Sequence, residues 1–252
     1  MNTTLEPTII YEDADVLVVD KPAGLIVHSD GRTKESSLAE WLVARNPELA
    51  AVGEPWVSPQ GETVLRPGIV HRLDRTTSGV MIIAKNPASY EFLKQAFHDR
   101  DIEKKYLAFV YGQPKEDRGV IEAEIRRTRT TPPRWTAEPG RRGGQRAAVT
   151  HWEVVKRGTD RTTGEKVSLF RVMPKTGRTH QVRVHLKLLH HAVVGDHLYA
   201  PGQPSFLGFT RPALHALSLS VVLPSGEQKF FEAPLPADFK EAERHFVEAT
   251  AE

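Results

Sequence analysis

The stretch HRLDRTTSGVMIIAK, residues 71–85, decides how this chain is organised. Two charged pairs open it, a small polar run follows, and five consecutive apolar residues occupy positions 80–84. An apolar run of this length predicts a buried strand rather than a helix. Asp74 therefore lies in a polar turn just before a core strand, where rigid scaffolds commonly hold reactive groups. Solvated ion pairs occupy such turns as well, so this stretch alone does not establish a function.

Two further stretches share its character: KPAGLIVH at 21–28 and KTGRTHQVRVHL at 175–186. Pro22 fixes the local backbone and Gly24 permits positive φ, so the first of them predicts a shaped loop. A plain corner between two strands fits that loop equally well. Three separate stretches rich in Arg, His, Lys and Gly are best explained by one shared site.

Composition predicts a folded, soluble protein. The chain has 252 residues, 39% of them hydrophobic and 26% charged, which is enough to bury a core. No apolar run approaches the roughly 20 residues that a membrane span needs, and residues 1–7 lack the features of a secretion signal. The absence of cysteine excludes disulfides, thiolate metal sites and cysteine nucleophiles, and it is consistent with a cytoplasmic location.

Positive charge is concentrated between residues 126 and 146. This segment carries seven arginines and one acidic residue, a net charge of +6 in a chain whose total is +2. Arginines beside Trp135 in a Pro- and Gly-rich loop are typical of a segment that follows a nucleic-acid phosphate backbone. We predict that Arg141, Arg142 and Arg146 bind substrate there; a solvated flexible loop is the alternative.

Hydrophobic periodicity and turn residues predict strands at 9–11, 16–20, 80–84, 104–111, 119–125, 147–155, 167–173, 214–223 and 228–232. Capping signals predict helices at 37–45, from Asn86-Pro87, at 179–189 and at 238–247. Strands outnumber helices and no regular βαβ rhythm is present. This pattern indicates the α+β class, with a mixed, mostly antiparallel sheet flanked by helices and loops. Since no repeat or linker is visible, we predict one catalytic domain over residues 1–252.

Several chemistries lack their sequence signatures. Neither a phosphate-binding P-loop nor a dinucleotide fingerprint is present. His180 and His185 are five residues apart and so lie off one helical face, and no acidic residue stands at ligand spacing from the histidines at 190–197. We therefore predict no metal and no cofactor. A serine triad of Ser78, His71 and Asp74 is the alternative, but no nucleophile elbow surrounds that serine.

What remains is an ionised aspartate acting as a nucleophile. Asp and Glu serve this role at sugar C1′ atoms in glycosyl chemistry. Such a carboxylate must stay charged when substrate excludes water, and a nearby arginine favours the charged form. Arg178 is the candidate partner of Asp74, because it precedes the predicted helix 179–189, whose N-terminus adds positive potential.

The sequence HRLDRTTSG at 71–79, followed by GVMIIAK, closely resembles the motif that carries the catalytic aspartate in RluA-type RNA pseudouridine synthases. The other blocks resemble that family in its order: KPAGLIVH at 21–28, KKYLAFVYG at 104–112, GRTHQVRVHL at 177–186, GD..Y at 195–199 and LHA at 214–216. The resemblance covers nearly the whole chain, from Ile9 to Pro236. It implies the pseudouridine synthase fold and an isomerase that detaches uracil from C1′, turns it and rejoins it through C5, without cofactor or metal.

The resemblance also implies residue roles. Asp74 is the catalytic aspartate, which either attacks C1′ or removes the 2′ proton. Tyr106 stacks on the target uracil, Arg178 pairs with the aspartate, and Arg72 fills the gap left by a flipped uridine. A core tyrosine and a simple phosphate contact are the alternatives for Tyr106 and Arg72. The remaining substrate-binding candidates are His71, Arg75 and Lys21, the last of which is equally suited to shaping its loop.

Some members of that family carry an N-terminal RNA-binding domain, whereas the first block of this chain begins near Ile9. We therefore expect the catalytic domain itself to select a stem-loop of ribosomal or transfer RNA, with no obligate protein partner and no membrane. Two other functions stay open. One is a non-catalytic RNA-binding or chaperone protein, and the other is a glycosidase-like hydrolase that releases uracil.

Overall fold

The computed structural model describes residues 5–29, 35–58, 61, 63–128, 134–138 and 144–249. Packing divides the chain into two compact units. Unit 1 comprises Met1–Glu103 and Ala216–Pro234, and unit 2 comprises Lys104–His215 and Leu235–Glu252. The single catalytic domain expected over 1–252 stays a prediction.

The strands of the described residues are β1 (Thr8–Glu12), β2 (Val16–Lys21), β3 (Trp56–Val57), β4 (Thr63–Val64), β5 (Ser78–Ala84), β6 (Glu103–Tyr111), β7 (Arg118–Glu122), β8 (Arg126–Arg127), β9 (Trp135–Thr136), β10 (Val149–Asp160), β11 (Lys166–Pro174), β12 (Leu214–Val222), β13 (Gln228–Glu232) and β14 (Phe246–Glu248). The α-helices of the same residues are α1 (Leu38–Arg45), α2 (Pro87–Asp99), α3 (Gln181–Leu188) and α4 (Ala237–His245), and a 3-10 helix spans Pro47–Ala51. The predicted α+β class with mostly antiparallel strands is confirmed. None of these helices is long and apolar enough to cross a membrane.

In unit 1 the strands lie in the order β1, β2, β5, β12, with β13 paired to β12. β2 and β5 run antiparallel, from Val16 opposite Ala84 to Lys21 opposite Gly79. All seven residues of β5 are buried, which explains why the sequence there is a continuous apolar run rather than an alternating one. A β-carbon at Gly79 would lie 2.1 Å from the Ala216 carbonyl oxygen, so only glycine allows this approach of β12 to β5.

Local signals place the first two helices correctly. Ser37 accepts a hydrogen bond from the Glu40 amide, and Glu40 accepts one from the Ser37 amide, which is the predicted capping box of α1. The Asn86 side chain caps α2 by accepting a hydrogen bond from the Ser89 amide, and Pro87 occupies the first helical position. Both signals act within four residues, so the sequence alone specifies them.

In unit 2 the strands lie in the order β6, β11, β10, β14, and β7 pairs with β10. The sequence predicts that the β10 strand ends at 155 and that a polar turn fills 156–166; the strand instead continues to Asp160. Its polar end is held because β10 pairs with β11 on one side and with β14 on the other. Asp160 then closes the turn, since its carboxylate accepts from the amides of Thr162 and Thr163.

The last helix is shorter than predicted. α4 ends at His245, and Phe246–Glu248 form β14 against β10. Phe239, Ala242 and Phe246 have helical spacing, but the Phe246 ring lies 5.8 Å from the Phe109 ring as part of a strand. Tertiary pairing therefore overrides the helical period at this end.

Candidate active site

Asp74 lies in a tight turn that leads into β5. Its carbonyl oxygen accepts a hydrogen bond from the Thr77 amide at 3.1 Å, while Leu73 is 4% exposed and anchors the turn in the core. The Asp74 side chain is half-buried. The turn is thus fixed by a backbone hydrogen bond and by the burial of Leu73.

Lys21 is fully buried behind this turn. Its Nζ donates to the carbonyl oxygens of Pro22 and Leu25, both at 2.9 Å, and to that of Arg75 at 3.3 Å. The Gly24 amide donates to the same Arg75 carbonyl at 2.8 Å. A buried ammonium that donates to carbonyls on both segments ties the 21–25 loop to the Asp74 turn. This arrangement favours the loop-shaping role of Lys21 over direct contact with RNA.

Arg72 and Arg75 flank the turn and are both exposed. Nη1 of Arg72 lies 3.0 Å from Nε2 of His28, and the guanidinium of Arg75 forms an ion pair with Glu35. Both guanidinium groups therefore lie at the surface of unit 1.

His71 faces the interior of unit 1 instead. Its Nε2 accepts a hydrogen bond from the Ile82 amide at 3.1 Å, and its ring stacks on Phe97 with centroids 4.5 Å apart. These contacts favour a structural role over the predicted contact with substrate. They also weaken the serine-triad alternative, because Ser78 is only 2% exposed within β5.

Arg178 belongs to unit 2 and precedes α3. Its amide donates to Oε1 of Gln181 at 3.0 Å, and its Nε donates to the Ala147 carbonyl at 3.3 Å. The helix begins at Gln181, two residues later than predicted, because His180 adopts a left-handed backbone with φ of 56°. The Arg178 backbone is thus held by a side chain of the first helical turn.

Gln181 is the residue that sequence reasoning missed. It is 4% exposed; its Oε1 accepts from Thr176 Oγ1 at 2.7 Å, and its Nε2 donates to the Val149 carbonyl and to Thr150 Oγ1, both at 3.0 Å. This network binds the Arg178 loop to β10. The one signal in the sequence that could have identified Gln181 was its polar side chain on a helical face whose spacing otherwise predicts apolar residues.

A buried ion pair joins two of the sequence blocks in unit 2. Nε of Arg183 lies 2.6 Å from Oδ2 of Asp196, and Nη2 lies 2.8 Å from Oδ1. The two side chains are 7% and 0% exposed. Oδ1 of Asp196 also accepts from the Tyr199 amide, and the Tyr199 hydroxyl lies 2.7 Å from Nδ1 of His180. The GD..Y block therefore supports the segment that carries Arg178.

His185 extends the same network towards β7. Its Nδ1 lies 2.9 Å from Thr150 Oγ1, and its Nε2 lies 3.1 Å from the Ala123 carbonyl. A carbonyl can only accept, so Nε2 carries the proton and Nδ1 accepts from the Thr150 hydroxyl. Burial lowers the pKa of His185, although the bond to Ala123 favours the charged ring.

We expect His185 to make stability decline in mild acid. Because its folded-state pKa lies below the ordinary value of 6.5, the unfolded chain binds this proton first as the pH falls. Its contribution is therefore complete above pH 6.5 and is lost as the pH falls from there through the folded-state pKa. Urea unfolding of wild type and His185→Gln across this range measures the effect. An equally steep pH dependence in the variant would contradict it.

Tyr106 lies in β6 opposite Val172 and is half-buried. The four residues that follow it, 107–110, are all buried. Arg146 is exposed, and its backbone pairs with that of Ile125. Arg141 and Arg142 lie outside the described residues. Asp74 and the three candidates next to it in sequence thus belong to unit 1, whereas Tyr106, Arg178 and Arg146 belong to unit 2.

The described parts of the basic segment 126–146 are docked on α3 rather than solvated on all sides. β8 and β9 form a short hairpin, and Trp135 and Ala137 pack in a cluster that includes Val184 and Leu188. An ion pair of 3.3 Å between Lys187 and Glu138 joins the same two elements. The described base of the segment is therefore packed against α3, and the binding of phosphate by the segment stays a prediction.

Within the described ranges, no three His, Asp or Glu side chains are grouped as metal ligands. Among the candidate residues, Lys21 and Arg178 make side-chain hydrogen bonds to backbone carbonyls.

Comparison with known proteins assigns these features to one family. The family described as RNA pseudouridylate synthase matches residues 15–188. An uncharacterized RNA pseudouridine synthase of Synechocystis is 37% identical over 234 residues, 92% of this chain and 66% of that protein. Ribosomal large subunit pseudouridine synthase D of Zymomonas mobilis is 34% identical over 240 residues, 92% of this chain and 70% of that protein. The chain thus spans about two thirds of the length of these relatives.

Solved structures agree with the sequence matches. Human RNA Pseudouridylate Synthase Domain Containing 1 superposes with a TM-score of 0.75 at 27% identity, covering 98% of this chain and 90% of that one. Human RNA Pseudouridylate Synthase Domain Containing 4 has a TM-score of 0.70 at 24% identity, covering 94% and 92%, and this shows a shared fold.

Proposed function

The chain belongs to the RNA pseudouridylate synthase family, and we propose that it isomerises specific uridines of a structured RNA to pseudouridine, with Asp74 as the catalytic group. The family resemblance seen in the sequence and the isomerase class that it implies are both confirmed at the level of the family. One observation supports Asp74 as the catalytic group. It lies in a turn that a backbone hydrogen bond fixes just before a buried strand, and this turn is inside the region matched by the family.

The reaction needs three events at one nucleotide. The bond from C1′ to N1 breaks, the uracil turns, and a bond from C1′ to C5 forms while C5 loses its proton and N1 gains one. In the proposed mechanism Asp74 acts at the ribose, either by attacking C1′ or by removing the 2′ proton. Tyr106 stacks on the uracil and assists at C5, and Arg178 favours the charged form of the carboxylate.

C1′ and C5 of a stacked nucleotide are inaccessible, so the target uridine must be flipped out of its stem-loop. Unstacking costs a few kcal/mol. Arg72 is exposed beside the Asp74 turn and fills the gap, and Arg75 contacts the RNA next to it. His71 and Lys21 support the two loops from inside unit 1.

We assign the target to ribosomal RNA rather than transfer RNA. Two of the similar proteins, from Zymomonas mobilis and Xanthomonas campestris, bear the name ribosomal large subunit pseudouridine synthase D, and they are 34% and 37% identical to this chain. Large-subunit ribosomal RNA offers many stem-loops with unpaired bases, which is the form in which proteins read RNA sequence. The enzyme then works in the cytoplasm, without a protein partner or cofactor.

The basic segment 126–146 supplies the phosphate contacts in this proposal. Its described base is anchored on α3, which begins just after Arg178, so the arginines among its described residues lie on a rigid support. Phosphate contacts release counterions, and this release offsets the cost of unstacking.

Replacing Arg141, Arg142 and Arg146 with Gln should weaken RNA binding and reduce its salt dependence. The slope of log K against log salt is negative, and each lost phosphate contact reduces its magnitude by about 0.7 to 0.9, so the loss of three contacts reduces it by about 2 to 3. Filter binding of a large-subunit ribosomal RNA transcript at several salt concentrations measures this slope.

The matched control neutralises three exposed basic residues of unit 2 outside the segment: Lys115, Arg161 and Lys240. It changes the net charge equally but should leave the slope within about one unit of wild type. Equal slopes for the two triple variants would show that the basic segment does not meet phosphate.

The function is tested by mapping pseudouridine across total RNA from cells with and without the gene. A large-subunit position that loses its modification and regains it on complementation supports the proposal. A lost position in transfer RNA instead corrects the substrate. If the purified protein releases free uracil from RNA, the protein is a hydrolase. If no position loses its modification in cells without the gene but the protein binds RNA, the non-catalytic alternative holds.

A further inference from the structure

Two side chains from different sequence blocks meet at the surface of unit 1. Nη1 of Arg72 lies 3.0 Å from Nε2 of His28, which is 44 residues earlier in the chain. We propose that His28 is a positioning residue that holds the Arg72 guanidinium in the orientation in which it meets RNA. The inference rests on the proposed function, in which Arg72 contacts the RNA at the flipped uridine.

The hydrogen bonds of His28 define its role as an acceptor. Nδ1 of His28 lies 3.0 Å from the Ser29 carbonyl oxygen. A carbonyl oxygen has no proton to give, so Nδ1 carries the hydrogen of the neutral ring. The lone pair then lies on Nε2, where it accepts from the Arg72 guanidinium.

The backbone that carries His28 is fixed by the start of α1. The Leu38 amide donates to the Ile26 carbonyl at 2.9 Å, and the Ala39 amide donates to the Val27 carbonyl at 3.0 Å. Val27 is 3% exposed. His28 is therefore presented from a rigid segment and can orient a flexible partner.

Arg72 is the flexible partner. Its neighbours in sequence are held by the core, since His71 accepts from the Ile82 amide and Leu73 is 4% exposed, but its own side chain extends to the surface. An exposed arginine loses much rotamer freedom when it binds, and a bond that selects one conformation beforehand reduces this loss.

A neutral acceptor suits this task better than a carboxylate. Arg75, two residues after Leu73, forms an ion pair with Glu35. In such a pair the carboxylate competes with RNA phosphate for the guanidinium. The imidazole of His28 carries no negative charge, so exchanging this hydrogen bond for RNA contacts costs Arg72 less free energy than breaking an ion pair with a carboxylate. His28 orients Arg72 without neutralising it.

The test uses the full chain and a bacterial large-subunit ribosomal RNA transcript containing uridine tritiated at C5, since rejoining through C5 releases the label. We expect His28→Leu to raise KM about threefold to tenfold with kcat unchanged, as the loss of one partly exposed charge-assisted hydrogen bond implies. His28→Gln restores an uncharged acceptor oxygen and should recover KM to within about twofold of wild type. His98→Leu, at an exposed histidine of α2, is the control and should match wild type.

The same changes made in Arg72→Ala distinguish the possible failures. If His28 acts through Arg72, His28→Leu has no further effect on KM once Arg72 is alanine. The positioning role is overturned if His28→Leu raises KM as much in the Arg72→Ala background as in wild type. It is also overturned if Arg72→Ala raises KM and His28→Leu alone does not. A lower kcat shared by His28→Leu and His28→Gln overturns it too, since it indicates a structural defect. No effect of Arg72→Ala itself would refute the contact of Arg72 with RNA in the proposed function.

Discussion

Asp74→Ala and Asp74→Asn are expected to abolish pseudouridine formation while RNA binding and the fold persist. The turn that holds Asp74 uses its backbone carbonyl, bonded to the Thr77 amide, and neither substitution removes that bond. Both remove the only group proposed to act at the ribose, so we expect a loss of at least about 10³-fold in kcat, as for other positioned acid–base or nucleophilic groups. Tritium release from RNA labelled at uridine C5 measures it.

Asp101→Asn is the matched control, because Asp101 is an exposed carboxylate of unit 1 outside the site. It should retain wild-type turnover. Residual turnover within about tenfold of wild type in Asp74→Asn would remove Asp74 from the mechanism. Loss of RNA binding together with turnover would instead indicate misfolding or a purely binding role for this residue.

The second large effect concerns stability. Asp196→Ala leaves the Arg183 guanidinium, whose side chain is 7% exposed, without the carboxylate that bonds two of its nitrogens. Removing one partner of a buried ion pair costs about 3–5 kcal/mol, mostly because the other charge stays buried without its counter-ion. Asp196 also accepts from the amides of Leu198 and Tyr199, so the turn that it closes loosens as well.

Urea unfolding measures this change, with Glu248→Ala as the control. Glu248 pairs with Lys156 at the surface, where the two side chains are 56% and 47% exposed, and such pairs contribute about 0–1 kcal/mol. Arg183→Met combined with Asp196→Leu should recover much of the loss, because replacing a buried pair with apolar groups is often neutral. If Asp196→Ala lowers the free energy of unfolding no more than Glu248→Ala does, the buried pair contributes little to stability.

Local sequence signals predicted the elements that depend on near neighbours. The capping box of α1 acts between Ser37 and Glu40, and the apolar run 80–84 is long enough to specify a strand buried on both faces. The family motifs were equally local, and the family match over residues 15–188 confirmed the resemblance for the blocks within that range. These features can be predicted from the sequence because each is determined by residues within a short stretch of chain.

Predictions were wrong where distant pairing decided the outcome. β10 extends to Asp160 because β14, almost 90 residues later in the chain, pairs with its polar end. α4 ends at His245 for the same reason, since the residues that follow are taken into that strand. For the basic segment 126–146 the sequence left a phosphate-binding loop and a solvated flexible loop open, and it did not predict that Trp135 and Ala137 pack on α3.

The sequence by itself determined the chemistry that is available: an aspartate beside arginines, a strand tyrosine, no cysteine, and motifs in the order of one enzyme family. Only the tertiary structure decided which polar residues serve the fold. Lys21 donates to the Arg75 carbonyl 54 residues away, and Gln181 bonds the backbone of β10 at Val149, 32 residues away. A polar side chain has the same sequence signature whether it meets substrate or backbone. Its burial and its hydrogen-bond partner separate the two roles, and both depend on residues far along the chain.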